Sequence, residues 1–140
     1  EEQMERKIVL ASHGQLAKGL LDTAQMIIGE IAYEVEVYTL QPGKLAEDFA
    51  KGLKMEIMQN PQIEYVILTD LYGASVFTAM YSLVVLDNVY LFTGMNLNML
   101  LSVCLEHPDH LDETAALKIQ EDARAGTQYI MESVTEEEDF

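Results

Sequence analysis

The chain has 140 residues, 49% of them hydrophobic, which is enough for one domain with a sizeable core and too few for two ordinary ones. Eight lysines and arginines against 24 aspartates and glutamates leave a net charge of −16. That excludes a non-specific nucleic-acid binder and favours a basic protein partner whose encounter is speeded by charge. No apolar run approaches the about 20 residues that cross a bilayer, and the first residues lack the pattern of a signal peptide. The single cysteine, Cys104, excludes an internal disulfide and reads as a small buried hydrophobe. A soluble, cytoplasmic protein is expected. Residues 1–3 are set aside; the domain is expected over 4–134, followed by a solvated acidic tail over 135–140.

Ile8 to Ala11 is an apolar, β-type run that ends abruptly at Ser12-His13-Gly14. Leu16, Ala17, Leu20, Leu21, Ala24, Ile27 and Ile28 then fall on a helical stripe stopped by Gly29. Val35 to Thr39 alternates as a second strand, broken at Gln41-Pro42-Gly43. Leu45, Ala46, Phe49, Ala50, Leu53 and Ile57 give a second helix, which must end before Asn60-Pro61. Tyr65 to Leu68 reads as a strand buried on both faces, and Thr69 to Ser75 as a polar turn with Ser75 placed to cap a helix over Val76 to Val85. Val89 to Thr93 is a fourth strand ending at Gly94. Leu97 to Leu105 and Asp112 to Ala125 read as helices, the latter stopped by Gly126, and Thr127 to Val134 as a last strand. Strands alternating with helices predict an α/β domain with a doubly wound, mainly parallel sheet in the order 2-1-3-4 and helices on both faces.

His13 ends the first strand and Asp70 the third, and in that strand order the two loops meet at the carboxyl edge of the sheet, where ligands collect in open α/β folds. An imidazole there can serve as a general base, a metal ligand or a nucleophile. A carboxylate facing one ring nitrogen fixes the tautomer and stabilises the imidazolium formed when the other attacks an electrophile. The expected geometry is attack by Nε2 with Nδ1–H held toward Asp70. Gly14, Gly73 and Ser75 are the candidate phosphate-binding positions, through backbone N–H groups at the start of the first helix and a hydroxyl at the head of the third. No lysine or arginine lies in either loop. A histidine at such a turn is also commonly no more than hydrogen-bonded, and the residues alone leave both readings open.

Ile8-Val9-Leu10-Ala11-Ser12-His13-Gly14, Pro42-Gly43, Leu68 to Ser75, Gly94 to Leu100 and Ala123-Arg124-Ala125-Gly126 together resemble the enzyme IIA domains of the mannose family of the bacterial sugar phosphotransferase system. The resemblance covers nearly the whole domain. It implies that His13 receives a phosphoryl group from the phosphocarrier protein HPr and passes it to a IIB domain, with Asp70 as its partner. It also implies a homodimer in which the last strand, antiparallel, is exchanged between subunits. Contact with a membrane would be only indirect, through the permease. Ala74 and Val76 depart from the family's usual glycine and proline; alanine at a position of positive φ would shift the loop. The phosphotransfer subunit of dihydroxyacetone kinase resembles the same pattern.

Two other classes compete. A response-regulator-like receiver has an aspartate and a threonine where this chain has Asp70 and Thr93, but needs an acidic pair where Ser12-His13 stand. A flavodoxin-like binding module would need features specific to a flavin. His107 and His110, with Asp109 between them, suggest a metal site, but Pro108 and the loop context favour solvent-exposed side chains. Neither a metal nor a cofactor is expected.

Overall fold

A computed structural model describes residues 5–132. The acidic tail, the first four residues and the end of the expected last strand lie outside them. Four strands, β1 (Glu5–His13), β2 (Glu34–Leu40), β3 (Ile63–Thr69) and β4 (Val89–Thr93), form one sheet in the order β2-β1-β3-β4. All three pairings are parallel, with Val9 opposite Glu36 and Ile67, and Thr69 opposite Thr93. Every crossover is helical, because parallel neighbours cannot be joined by a tight turn. The helices are α1 (Leu16–Ile28), α2 (Ala46–Gln59), α3 (Ser75–Tyr81, extended by a 3-10 turn over Ser82–Val85), α4 (Leu97–Leu105) and α5 (Glu113–Ala125).

Alternation along the central strands divides the core into two layers. Ile8, Leu10, Val66 and Leu68 pack on α1, α4 and α5, whereas Val9, Ala11, Tyr65 and Ile67 pack on α2 and α3. β1 is buried from Arg6 through Ser12, so its polar residues must find partners inside the protein. Lys7 does so on the α2 side, where its Nζ lies 2.9 Å from Glu56, 2.9 Å from Glu36 and 3.5 Å from Glu34. Glu56 also accepts from the Tyr65 hydroxyl at 2.9 Å. Burial works against the Lys7 ammonium, but hydrogen bonds to Glu56 and Glu36 outweigh it and raise its pKa; burial and the Glu56 carboxylate push Tyr65 up to about 12. On the other side, Arg6 donates to the carbonyls of Val103 (3.1 Å) and Asp109 (2.9 Å) and faces the buried Glu64 at 3.6 Å. The segment between α4 and α5 is thereby fastened to the amino end of the sheet.

Three local expectations change. Gly126 has φ −75°, so it does not stop α5 by a left-handed turn; a side chain there would meet Asn98 at 2.6 Å, and close helix packing explains the glycine. His107 and Cys104 are half-buried, the former rather than exposed and the latter rather than fully buried, and burial lifts the Cys104 thiol to about 11. Thr127–Glu132 forms no strand with this chain, and Tyr129, Ile130 and Met131 stand exposed. Within the described residues, β4 is hydrogen-bonded on one edge only.

The β1–α1 turn is held by Ser12, whose buried Oγ accepts the Ala17 N–H at 2.8 Å and so satisfies a first-turn donor that the helix itself leaves open. Ser12→Ala should cost about 1 kcal/mol in chemical denaturation, the usual loss for a helix-capping hydroxyl. Lys7→Ala should cost more, about 3 kcal/mol, because it leaves Glu56 and Glu36 facing each other without their cation. The raised Lys7 pKa contributes stability in full below the unfolded value of 10.5 and loses it as pH rises through the folded one; the lowered Glu56 pKa contributes above 4.5 and loses it as acid is added. Unfolding free energy followed against pH should therefore fall at both extremes in wild type, with the alkaline fall reduced in Lys7→Ala.

Candidate functional site

The parallel register carries the ends of β1 and β3 to the same edge, and there His13 and Asp70 touch. The Asp70 Oδ2 atom accepts two bonds from one residue, the His13 backbone N–H at 2.8 Å and the ring Nδ1 at 2.9 Å. The other carboxylate oxygen, Oδ1, accepts the Leu71 N–H at 2.9 Å. Burial disfavours the Asp70 charge, but these bonds and the nearby imidazole overcome it and hold the pKa below the ordinary carboxylate value. An ionised carboxylate can only accept, so the proton at the contact sits on Nδ1, and Nε2 is left with its lone pair.

Nε2 faces Ser75, whose Oγ lies 3.2 Å away. Ser75 does not cap α3: the capping position falls on Ala74, and Ser75 is the first helical residue, which frees its hydroxyl to point at the imidazole. The His13 side chain is 47% exposed, whereas Asp70 is 10% exposed, so the ring is presented from a buried anchor. An open position of this kind suits a macromolecular reactant better than a small molecule, which is usually enclosed by a concave pocket.

The glycines divide. Gly73 takes φ +84°, and no hydrogen bond among the described residues uses its N–H or that of Ser75, so both amides of this loop are left without a protein acceptor. Gly14 takes φ +56°, but its N–H donates to the Leu40 carbonyl at 2.9 Å. The expectation that Gly14 offers a free donor to an anion is therefore corrected: its amide ties the β1–α1 turn to β2. Ala74 has φ −84°, which any residue adopts, so replacing glycine by alanine does not displace the loop; Val76 is buried in the α3 layer of the core. Three participants escaped sequence reasoning. The Leu71 N–H, the Leu40 carbonyl and the Ser12 hydroxyl act through backbone geometry, and only Ser12, just before a helical stripe, carries a composition signal for it.

The other candidate clusters stay apart from this edge. Thr93 ends β4, and Ser12-His13, rather than a carboxylate pair of the kind a magnesium site needs, stand at the end of β1. His110 lies near the amino end of the sheet, its Nδ1 3.5 Å from Glu64. Among the described residues no group of three or more histidine, cysteine, aspartate or glutamate side chains is arranged to hold a metal ion, and no helix is long and apolar enough to cross a membrane.

Comparison with known proteins bears on the whole domain. The model of the mannose-type EIIA family, described as PTS system fructose IIA component, matches residues 7–134. The chain is 31% identical over 117 residues to the PTS system mannose-specific EIIAB component of Escherichia coli strain K12, covering 81% of this chain and 36% of that protein. It is 34% identical over 71 residues to the PTS system sorbose-specific EIIA component of Klebsiella pneumoniae, covering 51% of each. The chain thus spans only about a third to a half of the length of these relatives. Among solved structures, it is similar to the mannose/sorbose specific IIA subunit of Enterococcus faecalis, with a TM-score of 0.78, 21% identity and coverage of 94% and 100% of the two chains. It is also similar to the PTS IIA protein associated with the fucose utilization operon of Streptococcus pneumoniae, with a TM-score of 0.75, 28% identity and coverage of 92% and 96%. With the sheet order, the motif spacing and the family match in agreement over nearly all of its length, this chain belongs to the mannose-type enzyme IIA family of the sugar phosphotransferase system.

Proposed function

We propose that this domain relays a phosphoryl group on His13, taking it from the phosphocarrier HPr and giving it to a IIB domain. The observation that carries the reading is the pair of hydrogen bonds that Asp70 Oδ2 accepts from the backbone and ring of the same histidine, which fixes the tautomer and leaves Nε2 outward. In the forward step, the Nε2 lone pair attacks phosphorus and a P–N bond forms. The P–N bond to the donor breaks, its electron pair returns to the donor, and the Nδ1 proton stays between His13 and Asp70. The imidazolium so formed is stabilised by the carboxylate. In this reading Ser75 Oγ, 3.2 Å from Nε2, and the Gly73 and Ser75 amides of the same loop, which donate to no protein group among the described residues, receive the equatorial phosphoryl oxygens. Such transfer has a loose transition state, so alignment and charge placement supply most of the catalysis. The family match does not favour the receiver-like, flavodoxin-like or dihydroxyacetone kinase readings.

We also propose the exchanged dimer. Among the described residues, a β4 edge without a partner and an exposed apolar Tyr129-Ile130-Met131 segment are complementary liabilities, since open edges and exposed apolar strands invite pairing.

His13→Ala should abolish labelling from phosphorylated HPr. Asp70→Asn should slow transfer by about 10²-fold or more, about 3 kcal/mol. An amide cannot accept from His13 on one atom and from Leu71 on the other, so one bond becomes a donor–donor clash. The phosphoprotein should be labile in acid and stable in base, as a phosphoramidate is; label persisting in His13→Ala, or an acyl-phosphate profile, would refute the assignment. Sedimentation should find a dimer at micromolar concentration, and a chain ending at Gly126 should be monomeric. A monomeric intact chain would exclude the exchange.

A further inference from the structure

No charged residue lies between Asp70 and Asp87, although a quarter of the chain is charged elsewhere. Part of that stretch is explained by the core, because Val76, Ala79, Met80 and Leu83 turn inward onto the sheet. The outward residues have no such task. Tyr72 is 76% exposed, Tyr81 60% and Val85 73%. Phe77 links the two tyrosines, its ring centroid 5.1 Å from that of Tyr72 and 5.8 Å from that of Tyr81. Phe77 and Tyr81 stand four residues apart in α3 and so share one face, and Tyr72 carries that face into the loop that holds Asp70, Gly73 and Ser75. The α2 and α1 flanks of His13 carry charge, since α2 opens with Glu47 and Asp48 and α1 presents an exposed Lys18 in its first turn, whereas the amino end of α4 is uncharged but polar, with Asn96 and an exposed Asn98. Among the described residues, the α3 side joins exposed aromatic side chains to an absence of charge.

Resting on the phosphotransfer reading, we propose that the protein exchanging a phosphoryl group with His13 seats an uncharged, apolar patch on the Tyr72–Phe77–Tyr81 ladder, so that docking is directed to the α3 side of the site. Transfer requires the reacting atoms to meet at Nε2, and a standard interface covers about 800 Å² of each partner, a disc of about 16 Å radius. Tyr81 is six helical residues beyond Ser75, a rise of about 9 Å, which lies within that reach. Interface centres are depleted in charge and enriched in tyrosine and phenylalanine, with polar groups at the rim; the ladder has that composition and is continuous with the reacting loop.

The test measures phosphorylation of the chain by phosphorylated HPr at increasing HPr concentration, in wild type and in Tyr72→Lys, Tyr81→Lys and Met58→Lys. Met58 is an exposed apolar residue near the far end of α2 and serves as the control. A buried lysine at an interface centre should raise KM about tenfold or more in the two tyrosine variants, mainly in KM rather than kcat, with Met58→Lys unchanged. Labelling by phosphoramidate, a donor with no docking surface, should be retained in the tyrosine variants and so exclude a collapsed site. An unchanged KM in both tyrosine variants, or an equal rise in Met58→Lys, would overturn the proposal. If Tyr81→Lys converts a dimer to a monomer and leaves KM alone, the ladder covers a second copy and the proposal is wrong. Failure of wild type to take phosphate from HPr while accepting it from phosphoramidate would overturn the choice of partner, and no label from either source would remove the phosphotransfer reading itself.

Discussion

The Asp70 carboxylate is the constraint on which the site depends. It joins the last residue of β1 to the first loop residue after β3 through three hydrogen bonds, two of them to His13 and one to Leu71. Because one oxygen accepts both the backbone and the ring of His13, main-chain placement and side-chain orientation are fixed together. The ring cannot rotate without losing a charge-assisted bond, and the loop cannot move without carrying the ring. The geometry of the His13–Asp70 pair and the closure of the two central strands are therefore one feature.

That arrangement needs a rigid base, and the sequence of β1 supplies it in an unusual way for a buried strand. Arg6 and Lys7 lie on opposite faces near its amino end, Lys7 held by carboxylates and Arg6 by carbonyls and Glu64 through its two terminal nitrogens, its buried Nε having no partner among the described residues. Apolar residues at those positions would pack as well and would spare the desolvation cost of the charges. The ions instead set direction: Lys7 selects Glu36 and Glu56, and Arg6 selects the α4–α5 connection, so that β1 is seated in one register between β2 and β3. His13 is then delivered to the edge by counting residues along a strand that cannot slip.

Much of this was legible beforehand because period and punctuation are local. The stripe from Leu16 to Ile28 and the run from Val89 to Thr93 coincide with α1 and β4, and strand order placed His13 against Asp70. The residues that sequence reasoning misassigned are those whose role depends on backbone partners. Gly14 looks like a free donor until Leu40 is seen opposite it, and Ser75 looks like a cap until Ala74 takes that position. The segment Thr127–Glu132 has a strand-like composition, but a strand is a property of a pair, and among the described residues it has none.

Charge shows the same limit of composition. The net charge of −16 suggests electrostatic capture of a basic partner, yet in a parallel α/β domain the amino ends of strands and the carboxyl ends of crossover helices gather at the edge opposite the site. Glu34, Glu56, Glu64, Asp87 and Glu106 all occur there by their places in the elements. A seven-residue strand spans about 23 Å, whereas charges are screened beyond about 8 Å at physiological ionic strength. That distant acidity can orient a partner at long range and at low salt, but it adds little to the contact itself. On the proposed phosphotransfer role, what holds a reactant over His13 comes instead from the groups at the site edge, where Ser75 faces Nε2 and the exposed Tyr72 packs on Phe77.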